Sequence, residues 1–113
     1  MNITQISVFL ENKPGRLQHV LKALADRDIN LRTLTIAEVN DFGILRMIVN
    51  HPDDAYAALK AEHVTCSRTD VLAVALQDTP GALYRLIETF SRRQINIEYM
   101  YAFTDRHDAE SIM

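Results

Sequence analysis

The residues best placed to do chemistry occur twice. Asn12-Lys13-Pro14-Gly15-Arg16-Leu17 stands 66 positions before Asp78-Thr79-Pro80-Gly81-Ala82-Leu83. Each copy follows an apolar run and precedes apolar residues at i, i+3, i+4 and i+7, so each closes a strand and opens a helix. A helix start carries amides without intrahelical partners and attracts anions, a free carboxylate included. Glycine lacks a Cβ and lets ligand or backbone come close. Asn12 and Asp78 offer oxygens to a ligand's ammonium group. The plainer reading of the same residues is local: Asn12 or Asp78 orders the turn, and Pro and Gly start the helix.

Other chemistries lack their residues. His19, His51, His63 and His107 include no i, i+4 pair, and Cys66 is the single cysteine, so no metal-ligand spacing exists. Ser7, Ser67, Ser91 and Ser111 sit in no nucleophile motif, and neither a phosphate loop nor a dinucleotide fingerprint is present. The expectation is no catalytic residue, no metal, no cofactor and no enzymatic activity. Tyr99-Met100-Tyr101-Ala102-Phe103 is the one aromatic run, flanked by Glu98 and Asp105. An RNA-stacking strand would carry basic neighbours, so packing is expected there instead.

Composition agrees. The 113 residues are 48% hydrophobic and 24% charged, with net charge −3, which fits a globular domain and not a polyanion binder. No apolar run approaches the ~20 residues of a membrane span, and the start has no signal-peptide pattern. A lone cysteine gives no sign of secretion, so the expected compartment is the cytoplasm.

The elements that must position the loops follow from the repeat. Between Val8 and Leu31, eight of 24 positions are identical at the 66 offset, ending on Ile29-Asn30 over Ile95-Asn96. In the first unit, Ile6, Val8 and Leu10 mark a strand. Pro14 suits the first helical position, and Leu17, Val20, Leu21 and Leu24 form one helix face. Strands are expected at 31–38, 44–49 and 64–68, with a hairpin turn at 40–43 and a helix opening at Pro52-Asp53-Asp54. The order β-α-β-β-α-β predicts an α+β, ferredoxin-like split unit, an antiparallel sheet with both helices on one face, here in tandem. The second unit predicts a strand at 70–76, a helix faced by Leu83, Leu86, Ile87 and Phe90, a strand at 97–103, a polar turn at 104–110 and a strand start at 111–113. The expected domains are 1–68, complete, and 69–113, partial.

The twice-occurring (N/D)-x-P-G-x-L, placed between strand and helix of such a unit and followed by Ile-Asn-Leu and Ile-Asn-Ile, resembles the ACT domain family. The resemblance implies a regulatory module that binds a small molecule, most often an amino acid. ACT domains usually join two four-stranded sheets side by side, with the ligand where the paired units meet, near the strand–helix loop. Carried onto this sequence, the ligand-binding candidates are Asn12, Pro14, Gly15, Arg16 and Leu17, and Asp78, Pro80, Gly81, Ala82 and Leu83. Leu34 and Ile36, or Met100 and Ala102, would line the side-chain pocket. Because Ala82 replaces Arg16, the two loops need not bind alike. Changing both Gly15 and Gly81 to valine is expected to block binding and spare the fold.

The implied partners are a small-molecule ligand, a second copy forming a homo-oligomer such as a dimer, and a regulated enzyme or transcription factor, with no nucleic acid and no membrane. The second unit stops where a third strand begins. The expectation is that another chain covers the exposed surface, or that the sequence is incomplete. The rival reading is a structural or oligomerisation module without ligand, and a weaker one is RNA binding.

Overall fold

A computed structural model describes residues 1–105 and 110–112. The chain forms two compact units, Asn2–Val71 and Met1 with Leu72–Met113.

The first unit begins with strand β1 (Asn2–Glu11) and helix α1 (Arg16–Ala25). Strands β2 (Leu31–Val39) and β3 (Phe42–Val49) follow, then helix α2 (Pro52–Ala61) and strand β4 (Cys66–Leu72). The sheet order is β2-β3-β1-β4, and β3 pairs antiparallel with both β1 and β2. This is the ferredoxin-like order.

Alternation along the strands decides which side is covered. Ile6, Val8, Leu45 and Met47 are fully buried, and they share one face because Ile6 stands opposite Met47 and Val8 opposite Leu45. Val20, Leu24, Ala55 and Leu59 complete the same cluster from the helices. Apolar burial of this kind is the main favourable term in folding. Helix α2 opens as the acids predicted: Pro52 takes the first turn with Asp53 and Asp54, at the positive end of the dipole.

Helix ends share one device. Asp28, His63 and Gln94 stand just past the three helices with φ of 59°, 59° and 58°. The next residues, Ile29, Val64 and Ile95, donate their N–H groups back to Leu24, Leu59 and Phe90, each at 3.0 Å. These are Schellman caps, which satisfy otherwise unpaired carbonyls. Glycine is the usual residue at the left-handed position, and this chain uses none there.

Several expected boundaries move. Pro14 is not the first helical residue: α1 begins at Arg16, after a turn through Pro14 and Gly15. The last strand of the first unit runs on to Leu72, so 70–72 belong to that sheet and not to the next strand. In the second unit, strand β5 (Ala75–Gln77) and helix α3 (Ala82–Arg92) precede β6 (Phe103–Asp105) and β7 (Glu110–Ile112). Their sheet order is β5-β7-β6. The strand expected over 97–103 is confined to Phe103–Asp105. The ladder runs only from Asp105↔Glu110 to Phe103↔Ile112, and residues 97–102 have no partner strand among the described residues. Thr104, Asp105 and Glu110 are therefore strand and not turn, while 106–109 and Met113 lie outside the described residues. Helix α3 buries none of its residues, and Leu83 and Tyr84 are exposed.

Candidate functional site

The two strand–helix loops have the same backbone. In the first, the Arg16 N–H donates to the Lys13 carbonyl at 3.3 Å, and Lys13 N–H donates to Glu11 at 2.8 Å. In the second, Ala82 donates to Thr79 at 3.2 Å and Thr79 to Gln77 at 2.9 Å. Gly15 has φ 87° and ψ −12°, and Gly81 has φ 87° and ψ −7°. These values, with proline before each glycine, are those of a type II turn. Glycine is required because φ is positive. A valine there would strain the turn itself, so the double valine change is expected to lower stability as well as block binding.

The turns are closed by backbone groups alone. The Asn12 N–H donates to Asp41 at 3.0 Å, extending the β1–β3 ladder to the hairpin. No side-chain hydrogen bond from Asn12 or Asp78 occurs among the described residues, and both residues are exposed. The local reading, in which these side chains order the turn, therefore finds no support in the geometry.

Beside the first loop lies a cleft of about 310 Å³. Asn12, Arg16, Leu17 and Ile36 line it, as do Leu10, Glu11, Lys13, Glu38, Phe42 and Gly43. The cleft thus joins a charged end at the loop to an apolar wall between helix and sheet. Pro14, Gly15 and Leu34 do not line it. Glu11, Lys13, Glu38 and Phe42 escaped the sequence reading. Register was the missing signal: Glu38 faces Gly43 across β2–β3, and Glu11 faces Phe42 across β1–β3.

Electrostatics at this end are nearly self-balanced. Glu11 accepts an ion pair from Lys13 at 3.0 Å and lies 3.9 Å from Arg16. The Lys13 hydrogen bond and charge, then the Arg16 charge, hold the Glu11 carboxyl below its usual range. Arg16 occupies the first turn of α1, which contains no acid. A cation at the positive helix end is disfavoured unless an anion stands beside it.

The second loop borders a shallower cleft of about 360 Å³. Ala82 lines it together with Ala75, Leu76, Gln77, Thr79, Arg85, Leu86 and Thr89. Asp78, Pro80, Gly81 and Leu83 do not line it, nor do Met100 and Ala102, which are exposed. The charges differ between the copies. Gln77 replaces Glu11, Thr79 replaces Lys13, and the only charged lining residue is Arg85, one turn into the helix.

No group of three or more His, Cys, Asp or Glu able to hold a metal occurs among the described residues. Cys66 is buried, and burial pushes its thiol up from the ordinary range. No helix of the described residues is long and apolar enough to cross a membrane.

Comparison with known proteins agrees with this geometry. The family model for an ACT domain pair matches residues 1–109. Among solved structures, protein BT0572 from Bacteroides thetaiotaomicron is 46% identical, with a TM-score of 0.92 over 99% of this chain and 76% of that one. The regulatory subunit of aspartate kinase from Thermus thermophilus is 18% identical, with a TM-score of 0.66 over 96% of this chain and 78% of that one. The small subunit of acetolactate synthase from Thermotoga maritima is 17% identical, with a TM-score of 0.50 over 99% and 75%. No curated protein matches the sequence. The match over nearly the whole chain, on the fold and loops described above, places this protein in the ACT domain family, as an ACT domain pair.

Proposed function

We propose that this protein is a regulatory module that binds a free amino acid in the cleft beside the first strand–helix loop. The observation that carries the reading is the composition of that cleft. Asn12 and Arg16 stand at its polar end with side chains that the turn does not use, while Leu17 and Ile36 form its apolar wall. At about 310 Å³ the space is at the small end of ligand clefts, which suits a metabolite of amino-acid size. In this reading a ligand carboxylate meets Arg16 and the first-turn amides of α1, its ammonium group meets Asn12 or Glu38, and its side chain lies on Ile36. Arg16, disfavoured at a helix start, becomes favourable once an anion is bound.

Two of the structural neighbours are, by name, the regulatory subunit of aspartate kinase and the small subunit of acetolactate synthase. By that analogy the partner of this chain is an enzyme or a transcription factor, and pairing of two copies carries the signal. Such a signal exists only if the ligand prefers one paired state over the other.

The test is thermal unfolding against each common amino acid at millimolar concentration. A ligand at 100 times its Kd stabilises by ~2.7 kcal/mol, a shift of several degrees for a domain of this size. The same ligand should lose its effect with Arg16→Ala. No shift from any amino acid leaves a structural pairing module, a reading favoured by the way Glu11 already balances Lys13 and Arg16.

A further inference from the structure

The two loops repeat in backbone and differ in charge. At the 66 offset Gln77 stands for Glu11, Thr79 for Lys13, Ala82 for Arg16, Arg85 for His19 and Thr104 for Glu38. The cleft of about 360 Å³ beside the second loop therefore lacks the mixed charges of the first. Arg85 is its single charged lining residue among the described residues. Leu76, Ala82 and Leu86 give it an apolar wall, and Gln77 and Thr79 a neutral polar edge.

Arg85 reaches the loop although its backbone sits one turn into α3. A Cβ on Gly81 would come 2.9 Å from its Nη1 and 3.8 Å from its Cζ. The guanidinium thus lies over the bare glycine of the turn, leaning towards the helix start as long helical side chains do. The first turn of α3 holds no acid. Arg85 makes no ion pair among the described residues, and Glu88, three residues on, pairs with Arg92 instead. In the first cleft, by contrast, Glu11 stands 3.0 Å from Lys13 and 3.9 Å from Arg16. A cation without a counter-charge, open to a cleft at the positive end of a helix, favours an anion.

The charge balance selects among anions. One guanidinium matches one carboxylate through two parallel N–H···O bonds. An amino acid would bring an ammonium group as well, and that second cation needs an acid beside it. Glu11 and Glu38 offer one in the first cleft, whereas their counterparts Gln77 and Thr104 are neutral. Asp78 does not line the second cleft. The Gln77 amide and the Thr79 hydroxyl instead carry donors for an uncharged oxygen. We propose that the second cleft binds a small carboxylate without an ammonium group, of the α-oxo acid type. The carboxylate meets Arg85, the oxo oxygen accepts from Gln77 or Thr79, and an apolar tail lies against Leu76 and Leu86. The two clefts then read two chemical classes. The assignment rests on the second cleft alone and stands whether or not the first binds an amino acid.

Heteronuclear NMR titration of the full chain tests it, with α-ketoisovalerate, valine and inorganic phosphate as probes at constant pH and ionic strength. The first two share a carbon skeleton and differ in an oxo or an ammonium group. α-Ketoisovalerate should shift the amides of residues 75–89 saturably, and valine should bind there at least about tenfold more weakly. Arg85 is exposed, so Arg85→Gln leaves the packing intact; it should weaken the oxo acid about tenfold or more. Gln77→Glu returns the acid of the first cleft and should narrow or reverse the preference. Glu110 stands opposite Gln77 in the β5–β7 ladder, and the preference should persist in Glu110→Gln. Valine or phosphate binding this cleft as tightly as the oxo acid would overturn the proposal. So would oxo-acid binding unchanged by Arg85→Gln, a preference that Gln77→Glu leaves untouched or that appears only in Glu110→Gln, or no saturable shift in residues 75–89.

Discussion

Gly15 and Gly81, 66 residues apart, share one backbone conformation, φ 87° with ψ within a few degrees. The surroundings of the two differ. A Cβ on Gly15 would meet nothing within 4 Å, whereas one on Gly81 would come 2.9 Å from Nη1 of Arg85. If conformation is what demands glycine, Gly15→Ala and Gly81→Ala should each cost about 1–2 kcal/mol, since the Arg85 tip can swing aside. Denaturant titration of both variants checks this. A neutral Gly15→Ala would mean that the positive φ is not required.

Arg16 separates stability from the proposed binding. Its removal takes a cation away from the positive end of α1 and an ion pair away from Glu11, two small effects of opposite sign. Arg16→Ala should therefore alter stability by less than about 0.5 kcal/mol while abolishing any amino-acid thermal shift. Equilibrium unfolding measures the first quantity and the thermal screen the second. A stabilised variant that still responds to ligand would remove Arg16 from the site.

Glu11 gives the expected pH dependence. Its carboxyl is held below the ordinary value of 4.5, chiefly by the Lys13 hydrogen bond and charge. A depressed carboxylate contributes stability that is present above its unfolded pKa and lost as pH falls through the folded one. A small decline in stability should therefore begin near pH 4.5 and continue below it, and salt should blunt it because the pair is exposed. An NMR titration of Glu11 should show its midpoint rising towards 4.5 in Lys13→Ala.

The helix caps offer a gain. Gln94 occupies a left-handed position with a side chain that favours the opposite hand. Gln94→Gly, and separately His63→Gly, should each stabilise by about 1 kcal/mol. Differential scanning calorimetry reads this as an upward shift in Tm. A loss of stability would show that these side chains make contacts worth more than the backbone strain.

Cys66 reports on opening. It is 7% exposed in β4, and its thiol is pushed up by burial. Both features suppress the thiolate that reacts. Alkylation at neutral pH should be slow and should follow global unfolding, with a rate that rises in step with added denaturant. Rapid labelling of the native protein would mean that β4 detaches on its own.

The sequence alone determined the elements whose cause is local. Period-two and period-3.6 spacing of apolar residues marked β1, α1 and α3, and β-branched composition marked β2, although α3 buries none of its residues. The repeated Pro-Gly marked both turns because proline fixes φ and glycine permits positive φ. The pattern of the first unit gave the βαββαβ order, and the repeated (N/D)-x-P-G-x-L in that setting resembled the ACT family, which the match over residues 1–109 bears out. What tertiary structure alone decided is register. Cross-strand pairing carried β4 on to Leu72, confined β6 to Phe103–Asp105, and placed Glu11, Glu38 and Phe42 beside Asn12, Arg16, Leu17 and Ile36. The two groups, residues 11–17 and 36–42, lie roughly 20–30 positions apart in the chain, and a linear pattern cannot bring them together. Hydrogen bonding between strands can, because each ladder pair fixes which residues face one another.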